Sequence, residues 1–165
     1  MKGFMLAIVY SICNFIPVRI SRYIYKMIGI KIGTGSVISR YFYSENPKMI
    51  SIGDNSLVNT GTHIFVGHGD AVVEIGNNVK IGFDSKIIAV THMYNNRKCR
   101  AGTNFYKSVR IKDGAWLGAG VTILPGITIG YGCVIGAGSV VTRDTEDNCL
   151  YVGNPARKIK TLPIW

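Results

Sequence analysis

Few residues in this chain of 165 can do chemistry: three histidines, four cysteines and nine carboxylates. His92 lies in "VTHMYNNRKC", residues 90–99, where an otherwise regular sequence breaks off. An imidazole has an unperturbed pKa of about 6.5, so near neutrality it takes a proton from a weak nucleophile and hands it to a leaving group. Cys13, Cys99, Cys133 and Cys149 show no CxxC spacing and no partnered His cluster. Neither a zinc ribbon nor a disulfide framework is indicated, no metal is expected, and a reducing cytoplasm is the expected compartment.

The rest of the chain must position these groups. From Ile32 onward an aliphatic residue followed by a small one recurs every six positions, as in "IGTGSV", "IGDNSL", "IGNNVK", "IGFDSK", "LGAGVT", "IGYGCV" and "IGAGSV". The units start at 52, 58 and 64, at 75, 81 and 87, and again at 111, 117, 123, 129, 135 and 141. A helix with 3.6 residues per turn would walk the aliphatic position around its cylinder and leave the glycines unexplained. Short strands joined by tight corners account for both. Three hexads make an 18-residue coil with three flat sides, each coil stacked about 4.8 Å above the last. Aliphatics fill the inside, Gly or Asn takes the corners that need positive φ, and Ser36, Ser56, Thr62, Ser85, Val121 and Ser139 fit the narrow inner corner.

Two interruptions break the period. Five extra residues, around "VGHGD", lie between Ile64 and Ile75, and eighteen lie between Ile87 and Ile111. The second insertion has no aliphatic-Gly beat, so it leaves the coil as a projecting loop over about 93–108, where binding groups tend to be mounted. One domain is expected over 32–165, with a tail over about 147–165. A helical segment over 1–31 precedes it. Within that segment "PVRISRYIYKMIG" places Ile20, Ile24, Met27 and Ile28 on one face and Arg19, Arg22 and Lys26 on the other. Such a helix either lies on an anionic membrane or caps the open end of the coil. The opening "MKGFMLAIVYSICNF" lacks a small-residue cleavage site and is too short to span a bilayer, so it is expected to be retained.

Nineteen Lys and Arg against nine Asp and Glu give a formal charge of +10, which favours an anionic partner. The basic residues lie in three patches: the first 31 residues, the loop after His92, and the C-terminus. They do not form an arm interleaved with aromatics, which speaks against nucleic acid.

With these features together, "DGAWLGAGVTILPGITIGYGCVIGAGSVVTRD" followed by "YVGNPARKIK" resembles the hexapeptide-repeat acyltransferases, nearest to the maltose, galactoside and nodulation-type O-acetyltransferases. The resemblance implies an all-β solenoid, a left-handed parallel β-helix, assembled as a homotrimer with acetyl-CoA in clefts between subunits. It implies that His92 is the catalytic base, and that the backbone amide of Ala119, in the turn with Gly118, meets the oxyanion. Relatives often carry Ser where this chain has Ala119. Similarity assigns Trp116, Gly118, Ala119, Ala137, Thr142, Arg143, Arg157 and Lys160 to coenzyme A, the last two to its phosphates. Asp70, with Asn59 and Thr62, is assigned to a sugar acceptor, and Tyr94, Arg97 and Tyr106 are candidates to close over it. The implied function is O-acetylation of a sugar hydroxyl in a surface polysaccharide or glycolipid. Two alternatives stay open: a metal site like that of the γ-class carbonic anhydrases, using His63, His68 and His92, and a non-catalytic trimeric scaffold.

Overall fold

A computed structural model describes residues 2–164. Met1 and Trp165, the ends of the expected helical segment and tail, lie outside the described residues. Two helices, α1 (Lys2–Phe15) and α2 (Val18–Met27), lead into short strands, the first being β1 (Lys31–Ile32) and β2 (Val37–Ile38). The second coil is β3 (Ile50–Ile52), β4 (Leu57–Val58) and β5 (His63–Phe65), and the third is β6 (Val73–Ile75), β7 (Lys80–Ile81) and β8 (Lys86–Ile88). After an excursion through β9 (Val90–His92) and β10 (Asn104–Tyr106) come β11 (Val109–Ile111), β12 (Trp116–Leu117) and β13 (Thr122–Ile123). Then follow β14 (Thr128–Ile129), β15 (Val134–Ile135), β16 (Val140–Val141), β17 (Cys149–Gly153) and β18 (Ala156–Thr161).

Successive strands enter three sheets in rotation. The first sheet orders β1-β3-β6-β11-β14, the second β18-β17-β15-β12-β7-β4-β2, and the third β16-β13-β8-β5. Every pairing in them is parallel except β17 with β18. The aliphatic of each hexad therefore stacks on its counterpart one coil away. Ile32, Ile52, Ile75, Ile111 and Ile129 form one inner row; Ile38, Val58, Ile81, Leu117 and Ile135 form the second. Ile64, Ile87, Ile123 and Val141 form the third, and all of these side chains are buried. The expected corner residues, Ser36 through Ser139, are buried as well. At the corner between the second and third sheets the left-handed position is held by Gly120 (φ 67°) and Gly138 (φ 69°), and by Asp84 (φ 56°) one coil earlier.

Three expectations change. The expected apolar face of α2 covers the core only in part: Ile24 and Ile28 pack against it half-buried, whereas Ile20 and Met27 are 52% and 85% exposed, and Ser21 and Tyr25 are the fully buried residues of the helix. Aromatic packing decides this, because the rings of Tyr10 and Tyr25 both close on Phe42, with centroids 6.1 and 5.5 Å away. The insertion after His92 is not an irregular loop. β9 and β10 pair antiparallel, Asn104 opposite His92 and Tyr106 opposite Val90, so a two-stranded ribbon carries a tip over residues 93–103. The tail, finally, continues the stack: β17 adds a rung beside β15, and β18 folds back along it.

Candidate active site

His92 ends β9 and is exposed. Its Nδ1 lies 2.9 Å from the carbonyl oxygen of Gly102. A carbonyl only accepts, so this bond requires the proton on Nδ1 and leaves the Nε2 lone pair unblocked by it. The ribbon tip supplies that carbonyl through two backbone bonds, Met93 N–H to Thr103 O (2.9 Å) and Gly102 N–H to Met93 O (3.0 Å). Nothing in the hexad pattern marked Gly102 for this positioning role.

The two interruptions meet. The ring of Tyr106 lies so close over Gly67 and Gly69 that a Cβ on either would come within 2.5 Å of it. Tyr106 thus seats the ribbon on the segment that carries Asp70, and is not a free residue waiting to close over a ligand. Asp70 itself is exposed. The same segment is clamped from beneath by Glu45, whose carboxylate accepts from Gly67 N–H, and by Asn46, whose Nδ2 donates to Gly67 O at 3.2 Å. Sequence reading missed both residues, because no hexad covers 39–49. Tyr94 and Arg97 are exposed on the tip, which with its flanks (residues 93–108) carries Arg97, Lys98, Arg100 and Lys107 and no carboxylate.

Thr62 does not fit as an acceptor contact, and Asn59 has its side-chain amide already engaged. Thr62 is fully buried with its hydroxyl donating to Asn59 O at 2.8 Å, and Asn59 Nδ2 donates to Ile81 O at 2.9 Å. The Thr62 side chain is used inside the coil, in the corner role that its hexad position also suggested, while Asn59 is half-buried with its Nδ2 engaged.

Ala119 and Ala137 occupy equivalent corners in consecutive coils, between the second and third sheets. Gly120 N–H donates to Phe83 O and Gly138 N–H to Ala119 O, each near 2.7–2.8 Å, while among the described residues the N–H groups of Ala119 and Ala137 have no internal acceptor. The corner between the first and second sheets behaves differently. There a side-chain oxygen from the next coil caps the equivalent amide: Asp54 on Thr34, Asn77 on Asp54, Asp113 on Asn77 and Asp147 on Tyr131. Thr60, Phe83, Ala119 and Ala137 put no carboxylate or amide side chain at their corner. The uncapped donors therefore face outward in a column with a spacing of about 4.8 Å.

Trp116, 56% exposed, belongs to the outer face of the second sheet. Cα register runs from Trp116 to Val134, Leu150 and Lys160, so Trp116 and Lys160 stand three strands apart, about 14 Å, in one row. Arg157 is exposed on the same edge strand. Thr142 and Arg143 follow β16 at the next corner, Thr142 half-buried and Arg143 exposed, one side of the coil away from Ala137. His63 packs edge-on between Tyr43 and Phe65, with centroids 5.8 and 5.9 Å away. Among the described residues no three His, Cys, Asp or Glu side chains come together as a metal site.

Stacked parallel strands built on a six-residue repeat make this chain a hexapeptide-repeat protein. Residues 108–143 match the family described as bacterial transferase hexapeptide (six repeats). Nodulation protein L of Rhizobium meliloti is 38% identical over 127 residues, covering 77% of this chain and 68% of that protein. The galactoside O-acetyltransferase of Lactococcus lactis is 39% identical over 103 residues, 59% of this chain and 50% of that one. Among solved structures, the hexapeptide-repeat acetyltransferase VCA0836 of Vibrio cholerae, complexed with acetyl coenzyme A, superposes with a TM-score of 0.88 at 26% identity. It covers 99% of this chain and 88% of that one. The chain belongs to the bacterial transferase hexapeptide family. It spans 44, 63 and 59% of the length of matching relatives from Schizosaccharomyces pombe, Saccharomyces cerevisiae and Dictyostelium discoideum.

Proposed function

We propose that this chain is an acetyl-CoA-dependent O-acetyltransferase acting on a sugar hydroxyl. The observation that carries the reading is the His92 ring, exposed, held through Nδ1 by Gly102 O, and able to present Nε2 as a base. Nε2 takes the proton as the hydroxyl oxygen attacks the thioester carbonyl carbon. The Ala119 amide, uncapped by the protein, donates to the oxygen that becomes negative. When the C–S bond breaks, the same imidazole returns the proton to the departing sulfur.

The uncapped N–H of Ala137 suits a carbonyl of the pantetheine arm. Trp116 supplies a flat apolar wall, and Arg157, Lys160 and Arg143 supply charge for phosphates. The outer row of the second sheet, Val37, Leu57, Lys80, Trp116, Val134 and Leu150, is mostly apolar, whereas that of the first sheet is Lys31, Ser51, Glu74, Arg110 and Thr128. That contrast favours burial of the second face in a homotrimer, with the donor cleft between subunits and the coil wound left-handed as the resemblance implies. Asp70, beside the seat of the ribbon, is assigned to a sugar hydroxyl. We assign the acceptor to a lipid-linked glycan made at the cytoplasmic side of a membrane.

The test is thiol release from acetyl-CoA with a panel of sugars and glycolipids. His92→Ala is expected to lower kcat by about 10²- to 10⁴-fold while leaving coenzyme A affinity and oligomeric mass unchanged. Full activity in that variant overturns the assignment of the base.

A further inference from the structure

Both N-terminal helices turn an apolar face away from the protein. At 3.6 residues per turn, Phe4, Met5, Ile8, Ile12 and Phe15 of α1 fall within an arc of about 100°, and they are 45–86% exposed. The opposite side of α1 carries buried Tyr10 and Cys13. On α2, Ile20, Tyr23 and Met27 share the outward face with Arg19 and Lys26, opposite buried Ser21 and Tyr25. Since Tyr10 and Tyr25 both pack on Phe42, the two outward faces point away from a common core. Eight large apolar side chains in two adjoining helices are more than scattered surface residues explain.

Charge selects the occupant. The first 44 residues contain six Lys or Arg and no carboxylate before Glu45. A self-complementary contact between two copies of this face would set Arg19 and Lys26 against like charges. A contact with some other part of a second copy finds few free acids. Seven of the nine carboxylates, all but Asp70 and Asp84, already accept internal hydrogen bonds. No described helix is long and apolar enough to cross a membrane. Arg19, Arg22 and Tyr23 also line a groove of about 300 Å³ with Gly35 and Ser36, a place for a phosphate next to the apolar arc.

We propose that α1 and α2 form a docking surface for an anionic phospholipid bilayer. The apolar arc sits among the upper acyl chains, and Arg19 and Lys26, both exposed, meet lipid phosphates with their alkyl stems lying along the apolar face. Lying in the interface needs both signals, an apolar face and basic charge, and these helices carry both. The inference stands apart from the acyl-transfer reading, since it concerns neither His92 nor the donor cleft. Should both hold, the catalytic ribbon works on acceptors presented at the membrane.

The experiment is co-sedimentation of the full chain with vesicles of phosphatidylcholine alone and of phosphatidylcholine mixed with phosphatidylglycerol. Binding is expected to the mixed vesicles, weaker with added salt, and at least roughly tenfold weaker in each of two variants, Phe4→Ser/Phe15→Ser and Arg19→Glu/Lys26→Glu. All four exchanged side chains are exposed, so circular dichroism and the mass by light scattering should not change, nor should thiol release with a soluble acceptor. Failure of the wild type to bind mixed vesicles overturns the proposal. So does equal binding to both vesicle types, or a change of oligomeric mass in the Phe4→Ser/Phe15→Ser variant, which would put a second copy on this face.

Discussion

A general base works only through a lone pair that faces the proton it takes, so the tautomer of His92 matters as much as its position. Gly102 O fixes that tautomer from ten residues away in the chain, across the ribbon tip. The tip also carries Cys99, the one exposed thiol among the four cysteines. Cys13 and Cys133 are buried, and loss of hydration pushes both thiols up from their ordinary range, which keeps them protonated and unreactive; Cys149 is buried too. Native protein should therefore show a single fast-reacting thiol with a disulfide reagent, and three more only in denaturant. Cys99→Ser should abolish the fast phase. A fast phase surviving in that variant would mean that the coil opens far more readily than its packing implies.

The ribbon and the segment under it act as one unit, since Tyr106 rests on Gly67 and Gly69. A Cβ at Gly69 would lie 2.5 Å from the Tyr106 ring, too near to be accommodated without displacing it. Gly69→Ala should tilt the ribbon and with it His92, lowering kcat/KM by roughly tenfold to a hundredfold. Tyr106→Ala should also lower it, by unseating the ribbon. Combined with Tyr106→Ala, the alanine at 69 meets no ring, so the double variant should fall no further than Tyr106→Ala alone. Strictly additive losses would show that the two elements do not bear on each other. Sequence carried this far only in part. The hexads were legible because each aliphatic and each corner residue has one allowed place, and His92 stood out because it ends them. β9 and β10 were not legible: "NFY" opposite "VTH" alternates in no way that separates a strand from a loop. The buried face of α2 was legible only in part, through Ile24 and Ile28, for a similar reason. Its partners, Tyr10 and Phe42, are set by tertiary contact and leave no period in the helix itself.

Across the whole molecule, stability is distributed along one axis. Each coil touches only the coils on either side, so the cost of damage depends on how many neighbours the damaged position has. Leu117 is fully buried, stacked between Ile81 and Ile135 in the middle of the second sheet's inner row. Ile32 begins the first sheet's row, has a strand on one side only, and is slightly exposed. Truncating Leu117 to alanine removes contacts in both directions and leaves a cavity that a rigid coil cannot close, which should cost about 2–5 kcal/mol. Ile32→Ala should cost less, because the end of the coil has room to relax against α2. Guanidinium unfolding followed by circular dichroism at one fixed protein concentration measures the difference, and the fixed concentration keeps subunit association from entering the comparison. Equal losses for the two variants would mean that the stack unfolds as a single block, with position along its axis carrying no weight.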